Sequence, residues 1–156
     1  MTPSLRQRWR HRSGLFFSNR GARFYAWMTA QPTWRAHCAS LADHFPAAPT
    51  DGRRLAVLDL GIGPGVSGFG ILDRRPDAWV VGLDYAAVML AEARHRLRDA
   101  GCAPGSLALV QGDVMRLPFA DGSFDVVTHH SFLYLVADRD RALAEIARVL
   151  RPGGAY

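Results

Sequence analysis

The chain has 156 residues, of which 49% are hydrophobic and 21% are charged, and its formal net charge is +5. This length predicts a single domain with a sizeable buried core. No apolar run approaches the roughly 20 residues of a membrane-spanning helix, and Cys38 and Cys102 belong to no CxxC or Cys/His cluster. We therefore expect a cytoplasmic protein with idle thiols and no metal site.

The positive charge is concentrated at the start of the chain. All 19 basic residues are arginines, and seven of them precede Asp43, the first acidic residue. Residues 1–20 are predicted to form a basic, partly disordered and solvated arm. Its stretch "RQRWRHR" leaves contact with nucleic acid or with an anionic membrane surface as the less favoured alternatives.

Residues 21–53 predict a helical extension followed by a linker. In "GARFYAWMTAQPTWRAHCASLADHF" the apolar residues recur at helical spacing, and Pro32 predicts an interruption between two helices. The stretch "PAAPTDGRR" is rich in Pro, Gly and Asp, which is typical of a linker.

Residues 54–156 alternate between short apolar runs and helical patterns. The runs "LAVLDL", "AWVVGLD", "LALVQGD" and "SFDVVTHH" predict four strands. The segments between and after them, "VSGFGILDRR", "AAVMLAEARHRLRDA" and "DRDRALAEIARVL", predict helices. This alternation indicates an α/β fold with a doubly wound, mostly parallel sheet covered on both faces.

Polar side chains follow each predicted strand. Asp59, Asp84 and Asp113 end the first three strands, and His129 and His130 end the fourth. Ligands of open α/β sheets bind at the carboxyl ends of the strands, near the point where the strand order reverses. The sequence therefore predicts a binding site that contains these residues.

The glycine-rich loop after the first strand is compatible with two kinds of cofactor, a dinucleotide and a nucleoside that carries an ammonium or sulfonium group. In "GIGPGVSG" the letters G-P-G-V-S-G satisfy the dinucleotide fingerprint G-x-G-x-x-G. Asp84 suits the two hydroxyls of a ribose, which both cofactors carry. Asp59 places negative charge beside the loop, where it would repel a pyrophosphate and attract an ammonium or sulfonium group. Asp113 could accept a hydrogen bond from an adenine amine.

Four stretches, taken in order, resemble the Rossmann-like class I S-adenosylmethionine-dependent methyltransferases of the ubiquinone/menaquinone-biosynthesis type. They are "VLDLGIGPG", "VVGLDYAAVMLAEAR", "QGDVMRLPFADGSFDVV" and "ALAEIARVLRPGG". The resemblance runs from about residue 55 to residue 154. It implies S-adenosylmethionine as the cofactor and methyl transfer as the reaction.

The resemblance also implies a set of cofactor contacts. Loop glycines let the backbone approach the methionine part, and the strand-end acids take its amino group, the ribose hydroxyls and the adenine amine in turn. These residues are Gly61, Gly63 and Gly65, then Asp59, Asp84 and Asp113, with Val114 beside the adenine ring.

The methyl acceptor is predicted to be a small, apolar or quinone-like molecule. Methyltransferases that act on nucleic-acid amines usually carry an Asn/Asp-Pro-Pro-aromatic tetrad after the fourth strand, and this chain has "THHSFLYL" there. His129 and His130 are the candidate bases, since neighbouring strand residues face opposite sides and one of them should face the pocket. The alternative for either histidine is a place in the core or at an interface.

The family's sheet has seven strands, whereas this chain stops two residues after "RPGG". We therefore expect residues 54–156 to form a core that lacks strands five to seven, with the order 3-2-1-4. The fourth strand would lie at an open edge that invites association with another chain. Three functions remain open: a small-molecule methyltransferase, a cofactor-binding fragment without turnover, and an NAD-dependent oxidoreductase.

Overall fold

The computed structural model describes residues 18–99, 103 and 105–156. The predicted arm up to residue 17, the end of the helix predicted for "AAVMLAEARHRLRDA" and the thiol of Cys102 lie outside the described residues.

Two helices precede the sheet, as the break near Pro32 predicts. Helix α1 spans Asn19–Thr29, and its first turn is capped by Ser18, whose hydroxyl accepts the N–H of Gly21 at 3.1 Å. Helix α2 spans Pro32–Ser40, with proline at the position where a missing N–H costs nothing. A single 3₁₀ turn, Leu41–His44, follows.

Five strands form one sheet within the described residues, in the order β3-β2-β1-β4-β5. All neighbouring pairs are parallel. The strands are β1 Leu55–Leu60, β2 Ala78–Asp84, β3 Leu107–Gln111, β4 Phe124–His129 and β5 Leu150–Ala155. The predicted parallel sheet and its 3-2-1-4 order are confirmed.

Helices connect these strands on both faces of the sheet. They are α3 Val66–Arg74 between β1 and β2, α4 Ala87–Asp99 between β2 and β3, and α5 Arg139–Val149 between β4 and β5. A 3₁₀ turn, Leu133–Leu135, lies between β4 and α5. Among the described residues, no helix is long and apolar enough to cross a membrane.

Strand β5 corrects two predictions, that the core lacks a fifth strand and that β4 lies at an open edge. Leu150 pairs with Phe124 and Ala155 with Val126, and the register shifts between these two pairs. The chain bulges there, and Gly153 takes a φ of +79°. Because proline lacks an N–H and glycine favours turns, "RPGG" has the pattern of a helix end, and that pattern conceals an irregular strand.

The core lies on both sides of β1, whose six residues are all buried. Leu58 and Leu60 pack in one apolar cluster with Ile146 of α5, whereas Val57 packs in a second cluster with Ile71 of α3. Alternate residues of a strand point to opposite faces, so one apolar run supplies both layers.

Asp125 joins several segments at the amino-terminal end of the sheet. Its carboxylate accepts hydrogen bonds from both terminal nitrogens of Arg53, at 2.5 and 2.8 Å, and from the N–H of Ala56 at 2.9 Å. Arg151 of β5 forms a further ion pair with it at 2.9 Å. Although burial opposes ionisation, these donors hold the pKa of Asp125 well below its usual range. The carboxylate thus ties β1, β4, β5 and the linker together.

We expect Asp125→Asn to lower the free energy of unfolding at pH 7 by about 2–3 kcal/mol, because it removes the charge from a largely buried ion-pair network. Since the folded pKa is depressed, this contribution is present above the unfolded pKa of an aspartate and is lost as the pH falls below it. Urea unfolding of both proteins at pH 7 and in acid measures the difference. Asp121, whose side chain is 80% exposed, provides a control, and Asp121→Asn should cost under about 1 kcal/mol. An equal loss in the two variants would contradict the assignment.

Candidate functional site

The loop between β1 and α3 is built from glycines in left-handed backbone conformations. Gly61, Gly63 and Gly65 have φ values of +69°, +56° and +93°, which side chains other than glycine's adopt only with strain. Gly65 is also the N-cap of α3. An added Cβ at Gly61 would come within 2.4 Å of the ring of Phe132. The loop therefore needs glycine for its conformation and, at Gly61, for its packing.

Asp84, at the end of β2, holds this loop in place. One carboxylate oxygen accepts the N–H of Gly63 at 2.9 Å, and the other accepts the N–H of Ala86 at 2.8 Å. Burial raises the pKa of Asp84 above its usual value, although these backbone donors act against the rise. The strand-end acid and the glycine loop predicted from the sequence are thus in direct contact.

Asp59 is completely buried beneath the same loop. One carboxylate oxygen accepts the hydroxyl proton of Ser67 at 2.5 Å, whereas Oδ1 has no hydrogen-bond partner within the described part of the chain. Burial raises the pKa of Asp59 from 3.8 to about 7, and the nearby charge of Asp84 adds to the rise. The site therefore holds a carboxyl group that changes charge near neutral pH.

A small cavity of about 30 Å³ lies between the glycine loop and the two amino-terminal helices. The loop and the start of α3 form one wall, and α1, α2 and the segment after β4 form the other. The lining residues are Tyr25, Thr29, Trp34, Cys38, Gly61, Ile62, Gly63, Pro64, Val66, Ser67 and His130.

The two candidate histidines have different surroundings. His130 lines the cavity, and its ring lies edge-on to Trp34 and His37, with centroids 4.9 and 4.8 Å apart. Burial lowers its pKa, and the neighbouring His37 and His129 lower it further. His129 lies beside Tyr156 instead, at a centroid distance of 5.8 Å, and burial lowers its pKa too. Only His130 of the pair lines the cavity.

Asp113 and Val114 are not among the residues that line this cavity. One oxygen of Asp113 accepts the N–H of Met115 at 2.9 Å, which closes a tight turn after β3. The side chain of Val114 is buried in the apolar core. Their predicted contacts with adenine remain predictions.

Helix α5 holds the segment that follows Asp113. Glu145 accepts the N–H of Leu117 at 2.7 Å, and Arg148 donates to the carbonyl oxygens of Leu117 and Phe119 at 3.1 and 2.8 Å. Hydrogen bonds from Arg148 and from this N–H outweigh burial and lower the pKa of Glu145. The segment is therefore fixed by side chains that donate to or accept from its backbone.

The sequence interpretation did not single out several pocket residues. Ser67 lies inside the glycine pattern, and its position at the start of α3, eight residues after Asp59, is a usable signal. Trp34 and Cys38 lie in the predicted helical extension, where the sequence indicates apolar helical spacing and, for Cys38, an idle thiol. Burial raises the pKa of the Cys38 thiol to about 11, so it remains protonated at neutral pH.

Among the described residues, no group of three or more His, Cys, Asp or Glu side chains could hold a metal ion.

Comparison with known proteins finds relatives over most of the chain. Residues 57–154 match the family described as a methyltransferase domain. The ubiquinone/menaquinone biosynthesis C-methyltransferase UbiE of Paracoccus denitrificans is 43% identical over 128 residues, which cover 82% of this chain and 45% of that protein.

A demethylmenaquinone methyltransferase of Thermus thermophilus is 38% identical over 121 residues, which cover 78% of this chain and 50% of that protein. The chain thus spans about half the length of these curated relatives. A Methanococcus maripaludis protein assigned as an S-adenosylmethionine-dependent methyltransferase has a similar crystal structure, with a TM-score of 0.79 and 24% identity. The match covers 90% of this chain and 63% of that one, and at this identity it supports the fold alone.

We expect Asp59→Asn to remove a pH dependence of stability. The pKa of Asp59 is higher in the folded than in the unfolded protein, so protonation stabilises the fold. This contribution to the free energy of unfolding is fully present below about pH 4 and is lost as the pH rises through 7. Between pH 4 and pH 8, the free energy of unfolding should fall by about 2–4 kcal/mol more in the wild type than in the variant.

Urea unfolding at several pH values between these limits measures this difference. Asp140, an exposed carboxylate on α5, is the matched control, and Asp140→Asn should follow the wild-type pH profile. Parallel profiles for wild type and Asp59→Asn would contradict the assignment.

Proposed function

This chain belongs to the class I S-adenosylmethionine-dependent methyltransferases of the UbiE type, and we propose that it transfers a methyl group from S-adenosylmethionine to a small, apolar, quinone-like acceptor. The names of the two curated relatives, a ubiquinone/menaquinone biosynthesis C-methyltransferase and a demethylmenaquinone methyltransferase, support this acceptor class. When bound, S-adenosylmethionine supplies an electrophilic methyl group on a sulfonium sulfur.

The observation that carries this proposal is the buried carboxyl of Asp59 under the glycine loop. Oδ1 of Asp59 lacks a partner in the described part of the chain, and its other oxygen reaches Ser67, which lines the cavity. A negative charge here favours a cationic ligand and disfavours the pyrophosphate of a dinucleotide. Gly63 also supports this choice, since its N–H is already bonded to Asp84 rather than directed at a phosphate.

We propose that Asp84 holds the ribose hydroxyls while it keeps the loop in shape. A carboxylate oxygen has two lone pairs, so each oxygen of Asp84 can accept a ribose hydroxyl in addition to the N–H that it already accepts. Asp59 would attract the amino group of the methionine part through Ser67, and Gly61 would let the backbone approach it. Asp113 and Val114 are proposed to meet the adenine.

Calorimetric titration with S-adenosylmethionine, with NAD as a control ligand, tests the cofactor assignment. We expect the first to bind and the second not to bind. Asp84→Ala should weaken binding by about tenfold to a hundredfold, because charge-assisted hydrogen bonds are lost and the loop is released. Asp140→Ala, which removes an exposed carboxylate from α5, should bind as the wild type does.

Three results would contradict the proposal: binding of NAD, equal affinities in the two variants, or no binding by a folded sample. Binding without turnover of any quinol would leave a cofactor-binding fragment, and the proposed reaction would then be wrong.

We propose His130 as the base that takes a proton from a hydroxyl group of the acceptor. It lines the cavity, and burial together with His37 and His129 lowers its pKa, so that the imidazole is neutral and able to accept a proton at pH 7. Trp34 lies edge-on beside it and offers an apolar wall for an aromatic ring. His129 lies beside Tyr156 and does not line the cavity.

We expect His130→Gln to lower kcat with a short-chain naphthohydroquinone by about a hundredfold, the usual size of a general-base contribution, and to leave the affinity for S-adenosylmethionine within about twofold. Since the pKa of His130 is lowered, wild-type kcat should stay level as the pH falls through 6.5 and decline only in more acidic solution. The variant should lose that acidic decline. His129→Gln is the matched control, and an effect of equal size there would refute the assignment to His130.

A further inference from the structure

Helix α1 carries an exposed apolar surface next to the cavity. Phe24, Trp27 and Met28 are 53%, 66% and 45% exposed, and they occupy positions i, i+3 and i+4, which share one side of a helix. The rings of Phe24 and Trp27 lie 6.0 Å apart. These three large side chains form one continuous patch, which we call the α1 patch.

Two arginines flank the α1 patch. Arg20 and Arg23 are exposed, and within the part of the chain that the structure describes neither pairs with a carboxylate. No acidic residue occurs in the sequence before Asp43. The patch therefore combines an aromatic, apolar surface with uncompensated positive charge. Such a combination fits the headgroup region of an anionic bilayer, where tryptophan and arginine are both favourably placed.

The opposite side of α1 forms part of the cavity. Ala22 and Ala26 are buried against the rest of the protein, and Tyr25 and Thr29 line the cavity. One helix of 11 residues thus separates the α1 patch from the site by its own width. A helix of this length is too short to span a bilayer, so it would lie in the interface plane.

We propose that the α1 patch docks this protein on an anionic membrane surface, with Phe24, Trp27 and Met28 inserted among the lipids and Arg20 and Arg23 on the headgroups. This orientation places the cavity one helix width, about 10 Å, from the lipid surface, which shortens the path of an apolar acceptor through water. The role of this docking in acceptor delivery rests on the proposed function, whereas the experiment that tests the docking does not.

Sedimentation of the full chain with vesicles tests the docking without cofactor or acceptor. We expect the wild type to bind vesicles of phosphatidylcholine and phosphatidylglycerol in equal parts, and to bind vesicles of phosphatidylcholine alone at least about tenfold more weakly. Added salt should weaken the binding, because it screens the arginines. Docking can thus be shown, or fail, whether or not S-adenosylmethionine binds.

The double variant Phe24→Ser/Trp27→Ser should lose at least about tenfold in partition to the anionic vesicles, since it removes most of the inserted apolar area. Arg20→Gln/Arg23→Gln should lose a similar factor at low salt and show a weaker salt dependence. Leu143→Ser is the matched control, because Leu143 is an exposed apolar side chain, 41% accessible, on α5. It should bind as the wild type does.

Circular dichroism and urea unfolding show whether each variant is folded. Failure of the wild type to bind anionic vesicles would overturn the proposal. So would binding that the Phe24→Ser/Trp27→Ser variant retains in full, which would assign the contact to another part of the chain. A dimer in size-exclusion chromatography that this variant abolishes would identify the α1 patch as a contact between protein copies instead.

Discussion

The candidate site depends on one hydrogen bond, between the carboxylate of Asp84 and the N–H of Gly63. It joins the end of β2 to the left-handed loop that leaves β1. The N–H groups of Gly61 and Ile62 both bond to the carbonyl of Leu83, one residue before that acid. Since β1 and β2 run parallel in register, their carboxyl ends meet at one edge of the sheet. The loop, which forms one wall of the cavity, is therefore shaped by the neighbouring strand.

Much of this arrangement can be predicted because each strand-end acid comes directly after an apolar run in the sequence. Once the alternation of strands and helices indicates a parallel sheet, the carboxyl ends of neighbouring strands are expected to meet at one edge. The contact between Asp84 and Gly63 is of this kind. The glycines at 61, 63 and 65 are equally readable, since a dense glycine run after a buried strand indicates positive φ or close packing.

The parts that the sequence did not predict depend on distant contacts. Strand β5 was missed because proline and glycine dominate its sequence, and pairing with β4 overrides the local preference. The wall made by Trp34 and Cys38 was missed for another reason. Apolar residues on a helix show that one side is covered, but not by what. Ser67 has a sequence signal in its spacing from Asp59, but its role depends on the burial of that carboxylate, which only the packing of the fold determines.

The titratable groups near the two ends of β4 have different surroundings. At its amino-terminal end, Asp125 is surrounded by Arg53, Arg151 and a backbone N–H, and its charge is fully compensated. Beyond its carboxyl-terminal end, His130 is desolvated and made less basic, while Asp59 on the adjacent β1 is buried with one oxygen unpartnered.

Desolvated, partly unpaired groups cost stability, and a fold retains them where a ligand can supply the missing partner. The ion pairs of Asp125 at the amino-terminal end stabilise the sheet. At the opposite end, Asp59 can therefore stay available for a cation, and His130 for a proton. The groups that stabilise the fold and the groups that the proposed reaction needs thus lie at opposite ends of β4. The α1 patch lies on the far side of α1 from this cavity, so the proposed docking would hold the site one helix width from the lipids.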